Sequence, residues 1–544
     1  MLFQLHFSIV ILWYFYFNPL RNVGILCLVP VKFPSNNTYG GVWPKPVTYK
    51  TNSSFLVLRT SHFNFKVERY DCDIIQEAIR RYYFIIFMNV NSRSDYATSD
   101  VMDDRNKNFN KHFTGFLDVL QIHLMAPCES LPTEFMDERY ELKIDADGFE
   151  SSGLLIAQSV WGILRGLETF SQVIIPIKGH KYAVQLLSIM DFPRYSHRGL
   201  LVDTSRHYIP VTIILRILDA MVYSKMNVFH WHITDDQSFP FQSVSYPLLS
   251  QEGAYDRYLA IYTHLEIKRI IEYGRLRGIR VIPEFDSPGH TLSWGKGIPG
   301  FLTKCGNPEY GEYGPVDPSR ESNYVILENL FKEISELFLD NYLHLGGDEV
   351  DFECWGSNQN ILNFMKRNNI SSFTELESFY IYKLLNITKK LNTKAVVWQE
   401  VFDNNVPLNN DTIVHVWKNE QDLDRVTKNG HKAILSSCWY LDHLSSGGDW
   451  EKFYSCNPLN FVSSFAQQQR ILGGEACMWA EVVDETNIQQ RIWPRACATA
   501  EILWSGISSS DSVPRLEEHV CRLKKRGVPA QPPNGPGFCP HFIL

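Results

Sequence analysis

The stretch YLHLGGDE (residues 342–349) carries the pattern that decides the fold: a short apolar run, two glycines and two adjacent acids, Asp348 and Glu349. Seven other runs share the design, in which apolar residues give way to polar or aromatic ones. They are GLLVDTSR (199–206), NVFHWHITDD (227–236), IRVIPEFDSPGH (279–290), KAVVWQE (394–400), TIVHVWK (412–418), KAILSSCWYLD (432–442) and ILGGEACMWAE (471–481). A helix-like stretch follows each run, giving about eight strand–helix units.

Eight such units are the number in a (β/α)8 barrel, so we predict an α/β fold with a TIM barrel as its catalytic domain. The polar ends of the runs would meet on one rim, where these barrels keep their chemistry. An open, doubly wound sheet gives a similar alternation. An open sheet of this kind rarely has functional groups after every strand, as this sequence does, and we therefore favour the barrel.

The chain before residue 191 has a different pattern. Strand-like runs (FLVLRT, LQIHLMA, YELKID, LLIAQS) alternate there with the helix-like stretches CDIIQEAIRRYYFIIF and VWGILRGLETFSQVI. We expect a smaller α+β domain over residues 40–190, followed by the barrel over residues 191–544.

The first 25 residues form a segment that is apolar from Leu2 to Phe17, with Arg21 after it and no Lys or Arg before it. Its length suits a cleaved signal peptide better than a spanning helix, although the charge order is poor. A retained anchor stays open as the alternative, and only that alternative would attach the chain to a membrane.

Cysteines and glycosylation sequons agree with the secretory pathway, with the chain lysosomal or secreted. The chain has 11 cysteines, and Cys72–Cys128, Cys305–Cys354 and Cys521–Cys539 are plausible disulfides, although sequence alone does not fix the pairing. N-x-S/T sequons occur at Asn36, Asn52, Asn369, Asn386 and Asn410.

The net charge of −8 and the lack of a basic stripe argue against a nucleic-acid partner. The predicted rim is instead rich in acids and indoles. Sugar rings stack their C–H faces on aromatic side chains, while carboxylates and Arg hold the hydroxyls. A phosphate site would need more cations than Arg206. The rim therefore indicates a carbohydrate site.

Two alternative interpretations concern residues on this rim. His230 and His232 lie on one face of a strand, which is also metal-ligand spacing, and a metal-dependent hydrolase built from them with His290 and Asp348 is conceivable. Hydrogen-bonded histidines are the favoured interpretation, and we expect no metal and no cofactor. Asp348 and Glu349 fit a helix N-cap pair as well, but the preceding Gly-Gly indicates a special backbone approach.

Six motifs carry a family resemblance: HLGGDEV, HWHITDDQSFP, EFDSPGHTLSWGKG, WQEVFDN, WYLD and GGEACMWAE. With these the chain resembles the animal β-N-acetylhexosaminidases of glycoside hydrolase family 20, over roughly residues 41–541. The resemblance implies an N-terminal α+β domain, a catalytic barrel, and a retaining exo-glycosidase that removes terminal β-linked N-acetylglucosamine or N-acetylgalactosamine. Catalysis in this family is substrate-assisted, because the acetamido oxygen of the substrate attacks C1.

The resemblance also implies roles for individual residues. Glu349 is the acid and then the base, Asp348 holds the acetamido N–H, and Tyr440 aims the acetamido oxygen. The remaining implied substrate-binding residues are Arg206, Asp235, His290, Trp398, Trp417, Asp442, Trp479 and Glu481.

Substrate choice and assembly follow from the same resemblance. Relatives that prefer neutral substrates carry Asp-Leu where this chain has Asp442 and His443, while those that accept anionic substrates carry Asn-Arg. We hypothesise that Asp442 disfavours 6-sulfated sugars and that protonated His443 softens this exclusion in acid. N-acetylhexosamine-terminated glycans are the expected partners, and a homodimer is expected. An inactive carbohydrate-binding relative is the remaining alternative, although every expected catalytic position is filled.

Overall fold

The computed structural model describes residues 41–88, 112–147, 150–177, 181–443, 448–506, 510–535 and 539. The apolar N-terminal segment and the sequon at Asn36 lie outside these residues.

A mixed sheet of eight strands forms the N-terminal part of the described chain. Its strands, β1 to β8, are Thr48–Leu58, Asn64–Arg69, Phe113–Leu117, Val119–Leu124, Tyr140–Asp147, Glu150–Ala157, Ile175–Ile177 and Lys181–Asp191. Their order is β2–β4–β6–β5–β8–β1–β3, and β7 pairs with β8. The helices Asp73–Tyr83 and Val160–Val173 pack against the sheet, and the π-helical turn Phe84–Met88 continues the first of them.

The helix Val160–Val173 joins the sheet to the rest of the molecule. The Ser159 hydroxyl caps it by accepting the backbone N–H groups of Trp161 and Gly162, and every residue of the helix is buried. Its Arg165 donates to Glu138 and to the carbonyl of Gly278, each at 2.8 Å. A buried guanidinium is tolerated here because the Glu138 carboxylate pairs with it.

Eight parallel strands close into a barrel, which confirms the predicted fold. In ring order they are β9 (His197–Asp203), β10 (Val228–Thr234), β11 (Arg280–Phe285), β14 (Tyr342–His344), β15 (Lys394–Trp398), β16 (Ile413–Val416), β17 (Lys432–Leu435) and β18 (Ile471–Met478). β18 pairs with β9 to complete the ring. A small hairpin, β12 (Leu302–Lys304) and β13 (Tyr313–Val316), lies outside it.

Helices cover the outside of the barrel and supply its main apolar core. They are Val211–Tyr223, Leu248–Gly253, His264–Arg275, Leu292–Gly297, Glu321–Leu337, Phe352–Ser357, Gln359–Arg367, Phe373–Lys390, Gln399–Asp403, Asp422–Lys428, Trp450–Ser455, Phe465–Gln468, Ile488–Ile492, Arg495–Ser505 and Ser512–Lys525. None of the helices in the described ranges is both long and apolar enough to cross a membrane.

The described residues contain four disulfides. Three are Cys72–Cys128, Cys305–Cys354 and Cys521–Cys539, the three pairs expected from the sequence. The fourth, Cys438–Cys456, was not anticipated, and it ties the loop after β17 to the end of the helix Trp450–Ser455. Four disulfides agree with a protein of the secretory pathway.

Candidate active site

The two adjacent acids lie at the carboxyl-terminal end of β14, directly after the glycine pair. Gly346 and Gly347 have φ values of +68° and +96°, and a Cβ on Gly346 would lie 1.7 Å from the carboxylate of Asp286. Only glycine fits there, which explains the Gly-Gly pair. The next helix begins at Phe352 and its N-cap is Asp351, so the N-cap interpretation of Asp348 and Glu349 is wrong.

Asp348 and Glu349 differ sharply in exposure. The Asp348 side chain is 12% exposed, whereas that of Glu349 is 59% exposed and extends into the open mouth of the barrel. Glu349 has a φ of +49°, which is uncommon for a residue with a Cβ. Strained conformations of this kind cluster at functional sites, and here the strain aims two neighbouring carboxyls in different directions.

His290 lies between these acids and a third carboxylate. Its Nε2 is 3.6 Å from Glu349 Oε2 and 3.8 Å from Asp348 Oδ2, while its Nδ1 is 3.3 Å from Asp235 Oδ1. Burial alone would lower the pKa of His290, but the bond to Asp235 and the charge of Asp348 raise it well above its usual value. His290 is therefore an imidazolium that faces the two acids.

A buried chain of alternating histidines and carboxylates continues from Asp235 through the barrel. The successive contacts are Asp235–His232 at 2.7 Å, His232–Glu284 at 2.7 Å, Glu284–His230 at 3.0 Å, His230–Glu475 at 2.9 Å and Glu475–His197 at 2.7 Å. His197 lines a cavity of about 290 Å³ at the opposite mouth of the barrel. This series of histidines and carboxylates thus spans the barrel interior, and its first member, Asp235, holds His290.

The ionisation of this chain follows from its alternation. Burial alone would raise the pKa values of Glu284 and Glu475, but the neighbouring histidines lower both well below the usual range. Burial alone would lower the pKa of His230, but the two carboxylates raise it to about 9. His230 and His232 are therefore hydrogen-bonded, as the favoured sequence interpretation expected, and the charges of the chain compensate one another.

Arg206 lies in the loop after β9, and three carboxylates surround its guanidinium. Its guanidinium is 3.1 Å from Asp203, 2.9 Å from Asp235 and 3.9 Å from the half-exposed Glu481. It also lies over the ring of Trp479, 5.1 Å from the centroid. A guanidinium held at a fixed angle beside an indole is suited to grip neighbouring sugar hydroxyls.

Three indoles and one phenol form the wall of the site. Trp398 is buried and donates its Nε1–H to Glu284 at 2.6 Å, while Trp417 donates to Glu400 at 2.7 Å. Trp417 and Tyr440 stack with their centroids 6.2 Å apart. Together with Trp479 they surround a buried floor of Leu201 and Cys477. The arrangement is an aromatic pocket open to one side, as a pyranose ring requires.

Asp442 and His443 lie at the edge of this wall. The Asp442 side chain is 21% exposed and that of His443 is 76% exposed, and their charged groups are 4.0 Å apart. The His443 ring lies 5.6 Å from that of Tyr440. Burial raises the pKa of Asp442 above its usual value. The structure thus brings both residues to the site, beside Tyr440.

Three groups of described residues have the spacing of metal ligands: His230–His344–His415, Asp235–Asp236–His290 and Asp286–His290–Asp348. In the first group His230 and His344 lie face to face, with centroids 4.6 Å apart, so their lone pairs do not converge on one point. In the other two, His290 is an imidazolium with both nitrogens facing carboxylates, and it has no lone pair to offer. The geometry suits proton handling better than metal binding.

Several residues of the site received no role from the sequence. Glu284, Glu475 and Asp286 support the groups that face the pocket, and Glu400 positions Trp417. Asp286 and Glu400 come after their strands, whereas Glu284 and Glu475 lie within β11 and β18, inside the barrel. All four are acids of the eight strand runs, and that signal does not separate a supporting acid from one that contacts substrate.

Two family models match the chain. The model for the glycosyl hydrolase family 20 catalytic domain matches residues 195–507, and one described as beta-acetyl hexosaminidase like matches residues 42–173. The chain belongs to glycosyl hydrolase family 20.

Individual relatives agree with this membership. The beta-hexosaminidase subunit beta of Mus musculus is 45% identical over 505 residues, covering 90% of this chain and 91% of its own. The beta-hexosaminidase subunit alpha of Bos taurus is 44% identical, covering 92% and 94%. A solved Flavobacterium johnsoniae chitobiase superposes with a TM-score of 0.76 at 28% identity, covering 90% of this chain and 73% of its own. The chain is thus a β-N-acetylhexosaminidase, which hydrolyses terminal β-linked N-acetylglucosamine and N-acetylgalactosamine with the acetamido group as nucleophile.

Proposed function

We propose that Glu349 is the acid and base of this reaction and that Asp348 orients the acetamido nucleophile. The observation that carries the proposal is the divergence of the two acids around His290. Glu349 extends into the open mouth, where a leaving group or a water can reach it. Asp348 is nearly enclosed at the aromatic wall, where an acetamido group packs. The different settings suit proton transfer in one case and charge stabilisation in the other.

The remaining roles follow from the walls of the pocket. Tyr440 hydrogen-bonds the acetamido oxygen, and Trp398, Trp417 and Trp479 enclose the acetamido group and the ring. Arg206 holds the 3- and 4-hydroxyls and Glu481 the 4- and 6-hydroxyls. Asp235 and His290 support the acid.

The reaction proceeds in two steps. In the first, the acetamido oxygen bonds to C1 while Glu349 gives its proton to the departing glycosidic oxygen, and Asp348 stabilises the oxazolinium cation. In the second, Glu349 takes a proton from water, whose oxygen attacks C1. The bond between C1 and the acetamido oxygen breaks, which opens the oxazolinium ring. Two inversions at C1 retain its configuration.

The experiment compares two chromogenic substrates that differ only in the 2-substituent, a β-N-acetylglucosaminide and a β-glucoside. The proposal expects turnover of the first alone, with the β-anomer as the first product by NMR. Turnover of both at similar rates would show that the acetamido group is not the nucleophile. Binding of the first without turnover would instead favour the carbohydrate-binding alternative.

Specificity, location and assembly are further parts of the proposal. The partly buried carboxylate of Asp442 favours neutral over 6-sulfated sugars. The four disulfides and the exposed sequons at Asn52, Asn369, Asn386 and Asn410 support a glycosylated protein that is lysosomal or secreted.

The relatives are named as subunits, which supports a homodimer. Light scattering tests this, because a homodimer has twice the mass of the monomer. We further propose that the domains divide at residues 190 and 191.

A further inference from the structure

Asp286 is a buried acid to which the reaction above gives no role. It directly follows β11 and is only 1% exposed. Its Oδ1 accepts the backbone N–H of Gly347 at 2.8 Å and lies where a Cβ of Gly346 would be. The glycine turn that presents Asp348 and Glu349 is therefore built against Asp286.

Two carboxylate oxygens at this place lack a hydrogen-bond donor. They are Oδ2 of Asp286 and Oδ1 of Asp348, both buried and both without a partner among the described residues. Two ionised carboxylates side by side repel each other, and each buried acceptor without a donor is costly. One proton shared by the two oxygens satisfies both, because a protonated carboxyl is a donor.

The surroundings decide which acid keeps that proton. Asp286 faces the negative charges of Asp348 and Glu284 and the positive charge of His290, with Tyr380 as a further neighbour. Burial raises the pKa of Asp286 well above its usual value, and Asp348 raises it further. Asp348 is the more exposed of the two acids, and its Oδ2 lies 3.8 Å from the imidazolium of His290. Asp286 is thus the protonated member of the pair.

We propose that Asp286 is a positioning residue, a neutral acid that donates its O–H to Oδ1 of Asp348. The bond fixes the Asp348 side chain, so that Oδ2 is free to face the acetamido group. This inference rests on the glycosidase mechanism above and adds a residue to it. The proton on Asp286 does not take part in bond breaking and stays in place through the cycle.

The test is a pair of substitutions at Asp286, with the same change at a second buried acid as a matched control. Asp286→Asn keeps both hydrogen bonds, because its amide N–H₂ replaces the acid O–H and its oxygen still accepts from Gly347. Asp286→Ala removes both. Asp235→Asn removes an acid that must be ionised, because His232 and His290 hydrogen-bond to it and Arg206 forms an ion pair with it.

We expect Asp286→Asn to retain kcat within roughly threefold, while Asp286→Ala and Asp235→Asn each lose on the order of tenfold to a hundredfold, the range for a hydrogen bond to a charged group. Wild-type kcat should also fall more steeply in alkali than that of Asp286→Asn, because Asp286 as well as the general acid Glu349 can ionise in the wild type. Thermal unfolding of each variant separates lost positioning from lost folding.

Folded Asn and Ala variants that are equally inactive would show that Asp286 acts as an anion, and an Ala variant as active as wild type would show no positioning role. Should the Ala variant not fold, the contrast between Asp286→Asn and Asp235→Asn decides, since equal loss in both overturns the proposal. An inactive wild type would contradict the proposed function rather than this inference.

Discussion

Nε2 of His290 lies 3.6 Å from Oε2 of Glu349, and the imidazole is held in that position from its other side by Asp235. The contact links the exposed acid to the buried histidine–carboxylate chain. A fixed cation beside Glu349 stabilises the carboxylate that remains once its proton has gone to the leaving group.

His290→Gln should therefore lower kcat on the order of tenfold to a hundredfold, because the charge-assisted contact is lost. KM should change much less, since His290 is not proposed to grip the sugar. Steady-state kinetics on a chromogenic β-N-acetylglucosaminide checks this. His264→Gln is the control, because His264 also pairs with a glutamate, Glu333 at 3.0 Å, but on the outside of the barrel. Equal losses in the two variants would contradict a specific role for His290.

Arg206→Lys should lower kcat/KM on the order of tenfold to a hundredfold, although the charge is kept. An ammonium cannot bridge Asp203 and Asp235 and at the same time present a planar fork to two hydroxyls. The loss should shrink on a substrate that lacks the 4-hydroxyl. Arg257→Lys, in an exposed pair with Glu252, is the control and should be silent. A fully active Arg206→Lys enzyme would argue against the bidentate grip.

Discrimination against 6-sulfated substrates should weaken as the pH falls. The Asp442 carboxylate repels a sulfate only when ionised, and burial raises its pKa, so the repulsion disappears at a less acidic pH than for an ordinary aspartate. Asp442→Asn should accept the sulfated substrate on the order of tenfold better near neutrality and about equally well in acid. Measuring kcat/KM for neutral and sulfated substrates at about pH 4 and about pH 7 checks this. The wild type must differ between the two conditions for the idea to stand.

The contribution of His443 is separable in the same assay. His443→Gln removes the exposed imidazole 4.0 Å from Asp442 and leaves the carboxylate in place. If protonated His443 softens the exclusion, this variant should discriminate against the sulfate more strongly than wild type in acid and equally near neutrality. An unchanged profile would assign the effect to Asp442 alone.

Glu377→Gln should stabilise the fold, and the gain should grow with pH. Burial raises the pKa of Glu377 from 4.5 to about 8. Below the unfolded value both states are protonated and the variant gains nothing. Above it the unfolded state ionises first, so wild-type stability falls until the folded group also ionises near the raised pKa. At neutral pH the gain should be roughly 3 kcal/mol.

Gln mimics the neutral acid, and its oxygen still accepts from Asn404, which donates to Glu377 at 2.7 Å. Urea unfolding across the pH range measures the effect. Glu328→Gln, in an exposed pair with Lys390, is the control. A gain independent of pH would contradict the ionisation argument.

The barrel could be predicted from the sequence because each of its strands is a compact apolar run with a polar end. The N-terminal sheet was predicted less completely. Phe113–Leu117 is short and mostly exposed, and Asn64–Arg69 alternates polar and apolar residues but has no fully buried residue. Local patterning shows which residues are apolar, but pairing with distant strands decides which segments extend.

The residues proposed to contact the substrate could be predicted from sequence motifs. The buried histidines and carboxylates that support them could not. His230 and Glu475 are in contact although 245 residues separate them. No spacing rule connects such a pair before the barrel is closed. The disulfide Cys438–Cys456 was also missed, although its cysteines are only 18 residues apart, because the helix Trp450–Ser455 that precedes Cys456 was not predicted.

The assignment of Glu349 is best tested by turnover of a chromogenic β-N-acetylglucosaminide, with wild type and Glu349→Gln side by side, each with and without EDTA. We predict that wild type is active and unaffected by EDTA, and that the variant loses on the order of a hundredfold or more in kcat, as removal of a general acid requires. A Glu349→Gln enzyme as active as wild type would contradict the role of Glu349, and activity lost to EDTA would move the chemistry to a metal.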